Sequence, residues 1–84
     1  MSFYKDKREA QQEILAIIEK HEKIGLDPII MKIGQKYGFG EQFVIYWANL
    51  YTNLGLCRYE DRDRVIHNDR LKEKNKKEQK NEIS

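Results

Sequence analysis

Cys57 is the single cysteine of the chain, and its two histidines, His21 and His67, lie 46 positions apart. One thiol closes no intrachain disulfide, and two distant imidazoles offer none of the spacings that hold zinc. Cys57 opens a strand-like run, where a thiol serves as a small buried hydrophobe more often than as a nucleophile. His21 falls near the end of a helix, where a partial positive charge is mildly favourable. Nothing assembles a nucleophile, a general base and a group to orient it. The sequence therefore predicts no enzyme, and it calls for no cofactor, metal or small-molecule ligand. The chemistry left is recognition, by the amides Gln35, Gln42 and Asn49 and the cations Lys32, Lys36, Arg58, Arg62 and Arg64.

These groups need a scaffold, and 84 residues supply one domain. A domain of this size hides only about 60 to 65% of the surface its unfolded chain exposes, so its stability is modest. Hydrophobic residues make up 39% of the chain, too much apolar surface for a wholly disordered polymer although 36% is charged. The net charge of +2 conceals an asymmetry: residues 1–69 hold ten Lys and Arg against eleven Asp and Glu, and residues 70–84 hold six against three. We read 1–69 as the folded domain and 70–84 as a basic, lysine-rich extension. No apolar run is long enough for a membrane span of ~20 residues or for the shorter hydrophobic segment of a secretory signal, so the expected location is the cytoplasm.

Apolar residues at Ala10, Ile14, Ile17 and Ile18 predict an amphipathic helix over residues 8–22. Gly25 ends it, and residues 24–26 form a short extended piece. Asp27 and Pro28 read as N-cap and first-turn proline of a second helix carrying Ile30, Ile33 and Tyr37 inward. Gly38-Phe39-Gly40 makes the turn into a third helix over 41–53, with Val44, Trp47, Ala48 and Tyr51 as its core stripe. Residues 56–59 and 64–67 then alternate as two strands around a polar turn at 60–63. Asn68 or Asp69 could cap one more helix, supported by Glu73 and Lys77 at four-residue spacing. From Lys72 onward there is no apolar stripe, which leaves either a solvated helical extension or a mobile tail.

The expected class is thus α+β, mainly α with a small β-hairpin. The order of elements resembles the winged helix-turn-helix superfamily: a three-helix core, a wing and an additional C-terminal helix. Ile33-Gly34-Gln35-Lys36-Tyr37-Gly38 resembles the end of that family's second helix. Asn53-Leu54-Gly55-Leu56, running into Cys57-Arg58-Tyr59, is similar to its corner between recognition helix and wing. Small members of the family are transcriptional regulators, so the resemblance implies double-stranded DNA as partner; a homodimer is expected because burying exposed apolar residues of the third helix would stabilise so small a domain. The Ile-, Lys-, Asn- and Tyr-rich wording fits an A+T-rich genome, and a regulator of this length fits a plasmid or a virus.

In that family the third helix enters the major groove. With Val44, Trp47, Ala48 and Tyr51 inward, Gln42, Phe43, Ile45, Tyr46 and Asn49 face outward. Gln42 and Asn49 can offer donor and acceptor together, which matches the groove edge of adenine. Phe43 and Ile45 would meet thymine methyls and Tyr46 a phosphate. Lys32, Gln35 and Lys36 would hold the backbone from the second helix, and Arg58, Arg62 and Arg64 from the wing. Lys72, Lys74, Lys76, Lys77 and Lys80 would add salt-sensitive affinity. Dimerisation is expected through the first helix, through Phe3 and Tyr4, or through the C-terminal helix. The alternative is a protein-interaction module that docks Phe43, Ile45, Tyr46 and Leu50 on a partner, because the third helix carries no Lys or Arg.

Overall fold

The computed structural model describes the backbone of residues 3–83 and the side chains of residues 6–76. The chain is mainly helical with a small antiparallel sheet: α1 (Phe3–Glu19), β1 (Lys23–Gly25), α2 (Leu26–Tyr37), α3 (Glu41–Asn53), β2 (Arg58–Glu60), β3 (Val65–His67) and α4 (Asp69–Ile83). The first three helices pack around Ile14, Ile18, Leu26, Ile29, Ile33 and Val44, all fully buried. Tyr51 adds a directional tie, its hydroxyl donating to the Gln11 carbonyl at 2.9 Å to join α3 to α1.

Helix α1 ends three residues before the expected Glu22. The His21 Nδ1 donates to the Ile17 carbonyl at 2.8 Å, which closes the helix and frees the following residues for the sheet. Strand β3 is central and pairs antiparallel with both neighbours, Ile66 lying opposite Ile24 on β1 and Tyr59 on β2. Ile66 is thereby buried, and its side chain joins sheet to helices.

Helix α2 begins before the expected Asp27 cap. Gly25 occupies the cap position with no side-chain bond, and the Leu26 amide donates instead to the Arg64 carbonyl at 2.8 Å. A backbone acceptor from the hairpin thus does the work expected of a side chain. Pro28 still sits in the first turn, where its missing N–H costs nothing. Helix α3 matches the expected bounds, and its end is a Schellman motif. The Leu56 amide donates to Tyr51 and the Gly55 amide to Thr52, both at 3.0 Å, with Gly55 at φ 79°.

The hairpin turn falls one residue later than expected, at 61–64, with Glu60 paired to Val65 in the ladder. Arg64 cannot extend β3, because its φ of 53° is left-handed. Between the two offered caps, Asn68 takes the role. It is 5% exposed, accepts from the Leu71 amide through Oδ1 and donates through Nδ2 to the Ile18 carbonyl, both at 3.1 Å. One side chain closes the end of α1 and the start of α4. Helix α4 has no apolar stripe, and Phe3, Tyr4, Lys77 and Lys80 lie outside the described side chains.

Candidate functional site

Residues 42, 46, 49 and 53 repeat at steps of four, three and four, so on a helix they share one face. Gln42, Tyr46, Asn49 and Asn53 are all exposed, Tyr46 by 61%. No hydrogen bond or ion pair holds any of the four side chains among the described residues. The result is a convex, uncharged strip of three amides and a phenol. Gln42, Tyr46 and Asn49 stand where the sequence predicts, while Asn53 was missed although its spacing from Asn49 is a full turn.

Two expected members of the outward face turn partly inward. Phe43 is half-buried because Phe39, in the preceding turn, stacks on it at 4.3 Å and 14°. Ile45 is half-buried and packs against the core. Conversely Trp47, expected in the core, is only half-buried. It makes edge contacts with Phe43 at 6.3 Å and Tyr46 at 5.3 Å, and its buried Nε1 has no acceptor. Phe43 and Ile45 therefore flank the strip rather than form it.

The hairpin is fixed to α3 at both ends. Thr52 Oγ1 accepts from the Tyr59 amide at 3.0 Å while donating to the Ala48 carbonyl at 2.8 Å. At the other end the Arg64 guanidinium bridges Glu41 of α3 at 2.6 Å and Asp27 of α2 at 2.7 Å. Asp27 and then Glu41 raise the Arg64 pKa further above its already high ordinary value. Arg64 so neutralises carboxylates that would otherwise face each other at the N-terminus of α3. Sequence pattern gave no sign of this, since Arg64 and Asp27 are 37 positions apart.

The remaining cations divide into paired and free. Arg58 is bound by Asp69 at 3.1 Å and by Glu60, and it holds both carboxyl groups below their ordinary pKa. Lys36 turns toward α1 and meets Glu13 at 2.7 Å, which raises its pKa. Lys32 also faces α1, lining a cavity of about 190 Å³ with Lys20 and His21. Neither lysine shares the side of α2 from which Asp27 reaches Arg64. Lys32, Gln35 and Arg62 are exposed and have no ion pair among the described residues.

Cys57 is half-buried with Thr52 Oγ1 3.7 Å from its sulfur, and burial pushes the thiol pKa up. Such a thiol is a poor nucleophile at neutral pH. No group of three or more His, Cys, Asp or Glu among the described residues could hold a metal ion, and no helix there is long and apolar enough to cross a membrane. Comparison with protein-family models, with curated proteins and with solved structures returns no match.

Proposed function

We propose that this chain is a winged-helix domain that binds double-stranded DNA as a small homodimeric transcriptional regulator. The observation that carries the proposal is the uncovered strip of Gln42, Tyr46, Asn49 and Asn53 on α3, beside a hairpin fastened to the same helix. The strand order β1-β3-β2, with α2 and α3 joined by three residues, supports the fold assignment. A helix of this diameter fits the major groove, where Asn49 or Gln42 can pair with adenine and Tyr46 can reach a phosphate. Arg62, unpaired at the tip of the turn, is the wing's phosphate or minor-groove contact, and Arg64 stands behind it. Lys32 and Lys36 look toward α1, so in this mode they lie off the groove. The action is binding and positioning, with no bond made or broken.

A second reading has its own support. Ion pairs neutralise Arg58 and Arg64, and Tyr46 and Trp47 make a partly exposed aromatic pair suited to a protein partner. Fluorescence anisotropy with a labelled A+T-rich duplex separates the two. Binding that weakens steeply between about 50 and 200 mM salt is expected for DNA recognition. Absence of duplex binding at about 50 mM salt would leave the protein-interaction reading.

A further inference from the structure

Away from the α3 strip, a groove of about 370 Å³ runs between α1, the corner after α3 and α4. Its apolar floor is Leu15, Leu56 and Leu71, each half-buried. Its edges carry opposite charge: Glu19 on the α1 side, Arg70 and Lys74 on the α4 side. None of these three has an ion pair among the described residues.

Among its described residues, helix α4 is tied to the body by few side chains. Its described side chains reach the body through Leu71 in the groove, Asp69 on Arg58 and Asn75 on Glu22 at 3.1 Å. A 15-residue helix without an apolar stripe is marginal in water and gains stability from packing. We infer that this groove is the self-association surface, occupied by α1 and α4 of a second copy about a twofold axis. A twofold axis running along the groove makes each edge meet its opposite, so Glu19 of each copy faces Arg70 and Lys74 of the other above the leucine floors. A heterologous partner would need no such two-signed arrangement. This deepens the homodimer part of the function proposed above, and it is measured without DNA so that the two can fail separately.

Sedimentation equilibrium of the full chain at about 10 to 300 µM should give twice the 10.1 kDa chain mass at the upper end. Glu19→Lys, and separately the pair Arg70→Glu and Lys74→Glu, should each weaken self-association by about tenfold or more, because like charges then face each other. An equimolar mixture of the two variants should recover the wild-type association, since every contact is again between opposite signs. Rescue in the mixture also rules out misfolding as the cause. A monomer at all concentrations, a dimer indifferent to both charge swaps, or a mixture that fails to recover would each overturn the inference.

Discussion

Asn68→Ala tests how the helices are held to one another. The Asn68 carboxamide caps α4 through the Leu71 amide and donates to the Ile18 carbonyl at the end of α1. Loss of an N-cap costs about 1 kcal/mol. Loss of the second bond costs about another 1 kcal/mol, kept moderate because the Ile18 carbonyl also accepts from the His21 amide at 3.3 Å. The two contributions make about 2 kcal/mol, a large share of the stability of so small a domain. At roughly 4 to 8 °C per kcal/mol for a domain of this length, the melting temperature should fall by about 8 to 16 °C. Asn68→Ser keeps a capping oxygen but cannot reach Ile18, and should lose about half as much. Thermal unfolding followed by circular dichroism reads both. An alanine variant melting within about 2 °C of wild type would refute the reasoning, as would a serine variant as unstable as alanine.

Arg64→Ala should weaken duplex binding by leaving Asp27 and Glu41 uncompensated at the start of α3, and adding Asp27→Asn and Glu41→Gln should restore part of the affinity. No recovery in the triple variant, measured by anisotropy, would mean that Arg64 acts only through phosphate contact. The acid limb of stability follows from Glu60 and Asp69, whose carboxyl pKa values Arg58 holds down. A lowered folded-state pKa contributes stability above the unfolded value and loses it as pH falls through the folded one, so denaturant midpoints should drop below about pH 4. Arg58→Ala should flatten that drop, and an unchanged profile would contradict the assignment. Cys57, half-buried beside Thr52, should react with a thiol reagent at neutral pH more slowly than a free cysteine and reach the free rate only in denaturant; labelling of the folded chain at the free rate would contradict it.

Much of the fold was legible where local signals agree. The α3 stripe of Val44, Ala48 and Tyr51, bounded by Gly40 and Gly55, sets that helix unambiguously. Local pattern fails where the deciding partner is distant in sequence. Helix α2 starts at Leu26 because Arg64 supplies the acceptor, and the hairpin turn shifts because Arg64, without a glycine to mark the place, adopts a left-handed conformation. Phe43 turns inward because Phe39 waits in the loop, a contact that helical periodicity does not contain. The candidate site divides the same way. Gln42, Tyr46 and Asn49 follow from spacing alone, and Asn53 could have been found by extending it one turn. The engagement of Lys36 by Glu13, 23 positions away, is a property of α1 packing on α2 and leaves no trace in either helix read separately.

Nuclear magnetic resonance titration of an A+T-rich duplex into isotopically labelled protein addresses the role of α3 most directly. The side-chain amide signals of Gln42, Asn49 and Asn53, with the backbone signals of Tyr46 and Arg62, should move first and furthest. Shifts confined to α1 and α4, or spectra unchanged by duplex at low salt, would contradict DNA recognition by this helix.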